Sequence, residues 1–200
     1  MPRLLIVYHS LYGHVARLAA AAALGASEVV GTEVVTKRVP ELVSERVIRR
    51  AGGKLQRDIP VVKVAELAEF DAILFGARAR LGNMSAPMRA FLDASVEMRS
   101  RGALVGKLGG AFVSVTNSDA GQDLAMLGLF ATLLQHGMIV VGLPREPSRG
   151  VGYEQLTGAS PFGATTVVGS RGERLPSEQE LDLARRQGAH LANVAKQMRG

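Results

Sequence analysis

The sequence predicts a doubly wound α/β fold, a parallel β-sheet covered by helices on both faces. Three observations carry that expectation. Short apolar runs alternate with segments of helical spacing along the chain. The runs are apolar at successive positions instead of every second one, as strands buried on both faces are. Helices separate consecutive strands, and right-handed crossovers turn such strands into parallel neighbours.

The first strand is read over residues 3–8, followed by a turn-like segment and an Ala-rich helix over 14–26 that Gly25 is expected to close. A second strand is expected over 33–39. The charged stretch 40–67 carries Gly52, Gly53 and Pro60, and reads as a helix over 40–50 followed by a surface loop. The third strand is 70–77. Ser85 then opens a helix with Pro87 near its start, where a missing N–H is harmless, and Met88, Phe91, Leu92 and Val96 mark its apolar face. Residues 109–115 form a fourth strand, 122–136 a helix and 138–141 a fifth strand. Residues 144–163 are rich in proline and glycine without periodicity, and read as a long surface loop against another chain. Ser177 and Glu180 make a capping box, after which Leu181, Ala184, Gly188, Leu191, Ala195 and Met198 recur at helical spacing.

A chain of 200 residues, 47% hydrophobic and 21% charged, is expected to form one domain with a sizeable core. It has no cysteine, which excludes disulfides, thiolate catalysis and Cys-type zinc sites, and no metal site is expected. The apolar run at residues 4–8 is too short for a signal core, and no stretch approaches the roughly 20 residues of a membrane span, so a cytoplasmic protein is expected. A formal charge of +6 raises the question of nucleic acid. Its lysines and arginines are scattered, with no stacking aromatics between them, so nucleic acid is not the expected partner.

In open α/β sheets the ligand lies beyond the carboxyl ends of the strands where the strand order reverses, here the loops after strands one and three. The first loop combines the Ser10 hydroxyl, Gly13 and a following helix N-terminus, so backbone N–H groups and the helix dipole converge on an anion. It lacks both G-x-G-x-x-G and G-x-x-x-x-G-K-[ST], which favours one terminal phosphate over a pyrophosphate or triphosphate. Read alone, the same segment is equally a strand-to-helix turn with its cap.

The ordered segments Ser10-Leu11-Tyr12-Gly13-His14, Lys37-Arg38-Val39-Pro40-Glu41, Ala51-Gly52-Gly53-Lys54, Arg80-Leu81-Gly82-Asn83-Met84-Ser85 with Met88 to Asp93, Gly121-Gln122, His136-Gly137-Met138 and Pro161-Phe162-Gly163-Ala164-Thr165-Thr166 resemble the WrbA family. These are flavodoxin-like NAD(P)H:quinone oxidoreductases that bind flavin mononucleotide (FMN) and assemble as tetramers. The resemblance covers essentially the whole chain. It implies a flavodoxin-like doubly wound five-stranded parallel sheet and FMN-dependent two-electron reduction of quinones by NADH or NADPH, with ping-pong kinetics. It also implies a homotetramer. Carried over by position, Ser10, Leu11, Tyr12, Gly13, His14 and Val15 would surround the flavin phosphate. Ala77, Arg78, Ala79, Arg80, Leu81, Gly82 and Asn83 would border the ribityl chain and ring, Thr116 and Asn117 the ring's other edge, and His136 would act on the reacting side from an adjacent subunit.

The chain also departs from the family pattern. Ala77-Arg78-Ala79 stands where the family reads Thr-Pro-Thr, Leu81 replaces a Phe, and Arg99 replaces a Trp of the active-site wall. Both aromatic changes reduce stacking area. They motivate a second reading, a flavin-binding or structural family member with impaired catalysis. An electron-carrier flavodoxin is a weaker third reading, because carriers surround their flavin with acidic surface and this chain is basic.

Overall fold

The computed structural model describes residues 1–117, 121–144 and 159–199. Its central sheet runs in the order β2(Glu33–Arg38), β1(Arg3–Tyr8), β3(Ala72–Arg80), β5(Leu108–Val115) and β8(Gly163–Val167), with every one of these neighbours parallel. The reversal falls at β1, which has β2 on one side and β3 on the other, as the doubly wound expectation requires.

Side chains of β1 alternate between two cores, which explains its unbroken apolar run. Leu4, Ile6 and Tyr8 face the layer of α1(His14–Ser27) and α6(Glu178–Met198), whereas Leu5 and Val7 join the core packed by α3(Ala86–Asp93) and α5(Gln122–Gln135). β3 divides the same way, with Leu74 on one side and Ile73 and Phe75 on the other.

The strand count differs from the five expected. The fifth position is split: β6(Ile139–Val140) pairs with Leu108 and Gly109 of β5, and β8 pairs with Val113 to Val115 farther along the same edge. β4(Asn83–Met84) and β7(Ala159–Ser160) add short antiparallel pairings to β3 and β8. Among the described residues the sheet thus holds eight strand segments. Two-residue segments have no periodicity to read, and a strand interrupted between residues 140 and 163 looks like a loop.

Between β6 and β8 the ladder is completed by a side chain. Gln187 of α6, 1% exposed, donates from Nε2 to the Ala111 carbonyl (2.8 Å) and accepts at Oε1 from the Ala164 N–H (2.9 Å).

Other boundaries moved for local reasons. The first helix does not close at Gly25, which is buried within α1 at its crossing with α6. A β-carbon at Gly25 would lie 1.9 Å from the Arg185 carbonyl oxygen, and one at Gly188 would lie 2.0 Å from that of Ala22. Backbone-to-backbone approach, not chain reversal, requires these glycines. α2(Glu45–Arg50) begins later than the predicted 40, after the Ser44 cap, and a 3-10 turn covers Val64–Glu69. Val96 does not extend the apolar face of α3; it opens α4(Val96–Ser100) and is exposed, as is Met198 at the end of α6. The capping box of α6 forms as expected, with the Glu180 N–H donating to Ser177 Oγ (3.2 Å) and the Ser177 N–H to Glu180 Oε2 (2.8 Å). Most of the predicted 144–163 loop lies outside the described residues. No helix among the described residues is long and apolar enough to cross a membrane.

Candidate functional site

The predicted anion loop sits at the carboxyl end of β1. Gly13 takes a left-handed conformation (φ 97°) at the cap of α1, which turns the chain sharply into the helix. Ser10 Oγ accepts from the N–H groups of Gly13 and Ala16, both at 3.2 Å, and its own proton stays available for a ligand. The N–H groups of Leu11, Tyr12, His14 and Val15 have no acceptor among the described residues. Four unpartnered donors beside one hydroxyl, at the positive end of a helix, suit a phosphate group.

Several elements hold this loop in place. The His9 N–H donates to the Gly76 carbonyl (2.9 Å), and the His9 ring bridges Ser85 Oγ at Nδ1 and Glu41 Oε2 at Nε2, each at 3.1 Å. The Lys54 N–H donates to the Leu11 carbonyl (2.7 Å), and the segment carrying Lys54 is tied to β1 through a Tyr8 hydroxyl bond to Gln56 Oε1. Burial pushes the Tyr8 phenol up to about 12 despite Arg38, so it remains a donor. His14 is 6% exposed. Burial lowers its pKa and the nearby Arg17, Arg78 and Lys54 lower it further, against a bond to the Gly172 backbone, so the ring is neutral at pH 7.

A cavity of about 590 Å³ opens between the end of β3 and the start of α5, within the size range of small-molecule sites. Of the predicted residues, Arg78, Ala79, Arg80, Leu81, Gly82, Thr116 and Asn117 line it. Arg78 joins cavity to loop, its guanidinium carbon lying 5.6 Å from the centroid of the Tyr12 ring. Leu81 (φ 52°) and Gly82 (φ 73°) form the two-residue turn between Arg80 and Asn83, both with the positive φ of a type I′ hairpin. Leu81 is 92% exposed at the cavity rim.

Three predicted residues lie apart from the cavity. Ala77 is wholly buried in the α3/α5 core, and Asn83 is exposed beyond the turn. His136 caps the far end of α5, a helix of 14 residues and thus about 21 Å long, so it cannot reach the cavity of its own chain. There it is 5% exposed and bonded through Nε2 to Ser95 Oγ (2.9 Å). The Ser95 hydroxyl donates to the Leu92 carbonyl (2.5 Å), so it accepts from His136, and the imidazole Nδ1 is left buried without a partner. Burial, then Arg99, lowers the His136 pKa.

Sequence reasoning missed the cavity's second wall, Gly121 and Leu124. A β-carbon at Gly121 would sit 2.9 Å from Gly82 Cα, so these loops touch backbone to backbone. The available signal was that Gly121 follows the carboxyl end of β5, a third loop on the same rim.

No protein-family model matches the chain. It is 46% identical over 198 residues to the NAD(P)H dehydrogenase (quinone) of Sinorhizobium fredii, covering 99% of each chain. It is 47% identical over 197 residues to that of Geotalea daltonii, covering 96% of each. Among solved structures it resembles a flavodoxin, WrbA-like protein from Agrobacterium tumefaciens, with a TM-score of 0.67 and 26% identity over 98% of this chain and 99% of that one.

Proposed function

This chain belongs to the WrbA-like NAD(P)H dehydrogenase (quinone) family, and from that premise we propose that it is an FMN-dependent reductase of quinones using NADH or NADPH. One observation carries the reading: unpartnered N–H donors and a free hydroxyl proton at the mouth of α1, adjoining a roomy cavity at the sheet's reversal point.

The donor set fits the cofactor. Ser10 and the N–H groups of Leu11, Tyr12, His14 and Val15 would hold the phosphate, with the buried, neutral His14 beside it. Arg78 to Gly82 would flank the ribityl chain and one ring edge, Thr116 and Asn117 the other, while Leu124 and Leu81 supply apolar wall. When bound, the flavin supplies two-electron chemistry, accepting hydride from NAD(P)H and passing it to a quinone in separate half-reactions at one cavity. The protein's part is to orient the ring and to leave one face open to both substrates in turn. A role for His136 requires a neighbouring copy of the chain, as a homotetramer would provide.

Purified protein reconstituted with FMN should oxidise NADH or NADPH with benzoquinone faster than an equal concentration of free FMN, with parallel double-reciprocal plots. Rates no greater than free FMN defeat the enzymatic reading. Bound flavin without turnover would instead support the second reading, in which Arg78 and the bare Leu81 on the cavity wall impair substrate stacking.

A further inference from the structure

Arg78, Arg17 and Lys54 surround the anion loop, and none has a carboxylate partner among the described residues. Some guanidinium groups elsewhere do pair, as in Arg3–Glu33, Arg174–Glu180, Arg185–Glu28 and Arg199–Asp71. We propose that these three side chains form a cationic clamp on the phosphate at the mouth of α1, making the site select a phosphorylated flavin over riboflavin. The inference rests on the flavin reading above and adds a charge-based selectivity that the backbone donors alone do not supply.

The Arg78 guanidinium is held by a side-chain contact, and backbone bonds set Lys54 and Arg17 beside the loop. The Arg78 guanidinium lies over the Tyr12 ring, a cation–π arrangement that sets it above the loop instead of in bulk solvent. Lys54 is tethered by its own N–H to the Leu11 carbonyl. Gly53 presses against Leu11 and Ile48 so closely that a β-carbon would lie 2.7 Å from each side chain. Arg17 lies one turn into α1, where the helix dipole disfavours a positive charge, and the first turn holds no acidic residue to offset it.

Like charges gathered at the positive end of a helix repel one another unless an anion joins them. All three act on His14, which they hold toward its neutral form together with burial. A phosphate dianion converts this repulsion into attraction, and a guanidinium can meet two of its oxygens at once. A neutral ribityl hydroxyl in the same place leaves the repulsion intact.

Equilibrium titration of the apoprotein with FMN and with riboflavin, followed by quenching of flavin fluorescence at about 20 and 200 mM NaCl, tests the clamp. Arg78→Gln should weaken FMN about 10- to 100-fold, as loss of a charge-assisted contact does, and change riboflavin by less than about 2-fold. The salt dependence of FMN binding should become shallower, and Arg78→Lys, which keeps the charge without the two-oxygen fork, should recover part of the affinity. Unchanged FMN affinity, or equal weakening of both flavins, overturns the clamp. Should Arg78→Gln fail to fold, Arg17→Gln and Lys54→Gln, both at exposed positions, carry the same expectation. If the wild-type protein takes up neither flavin, the flavin reading falls. The clamp then stands only if inorganic phosphate raises the melting temperature and Arg78→Gln abolishes that rise, and it falls with the flavin reading if phosphate has no effect.

Discussion

Replacing Gln187 by methionine probes how the split strand is held. The side chain keeps its length and loses both polar atoms, so the wholly buried Ala111 carbonyl and Ala164 N–H are left without partners. Each stranded buried group costs about 1 to 3 kcal/mol, which sets the expected loss at about 2 to 6 kcal/mol for the pair. That is a large share of the roughly 5 to 15 kcal/mol that stabilises a folded domain. At about 2 to 4 °C per kcal/mol for a chain of this size, the melting temperature should fall by about 4 to 24 °C. Urea unfolding at a fixed protein concentration is the direct assay, with the midpoint moving and the slope unchanged. Gln197→Met, exposed on the same helix, serves as the control and should stay within about 0.5 kcal/mol. A Gln187→Met protein within about 1 kcal/mol of wild type refutes the reasoning, because the two backbone groups would then have other partners.

Two further outcomes are expected. Leu81→Asn should raise stability by about 1 kcal/mol, since leucine is strained at positive φ and asparagine suits the first central position of a type I′ turn; a lower melting temperature would contradict that. For His136 the folded pKa lies below the unfolded value near 6.5, so folding excludes a proton that the unfolded chain binds. The stability it leaves intact above about pH 6.5 should therefore erode as the pH falls below that value. Melting temperatures of wild type and His136→Asn between about pH 8 and 5 should converge toward acid pH, and parallel curves would count against the linkage.

The sequence made the fold legible wherever burial on both faces left a continuous apolar run, as in β1, β3 and β5. It could not reveal the split fifth strand, because the residue that completes the ladder lies on the last helix. Gly25 was misread as a stop for a similar reason: only the crossing with α6 explains a glycine there. Both loops of the site followed from the position of the strand reversal, a property of topology. Gly121 and Leu124 did not, since their place on the cavity wall depends on which loop leans against Gly82. For His136 the resemblance alone suggested a role, from an adjacent subunit, and the length of α5 keeps it from the cavity of its own chain.

The Gly25–Gly188 crossing bears on how the protein comes into being at the ribosome. α1 follows the anion loop directly, yet it rests backbone to backbone against a helix that is synthesised much later. Gly172, which lies against the His14 ring, is also made long after the loop. A nascent chain stalled before α6 emerges therefore holds every residue of the loop and still lacks the helix on which α1 rests. The seating of α1 against the sheet is in this sense completed only when α6 arrives.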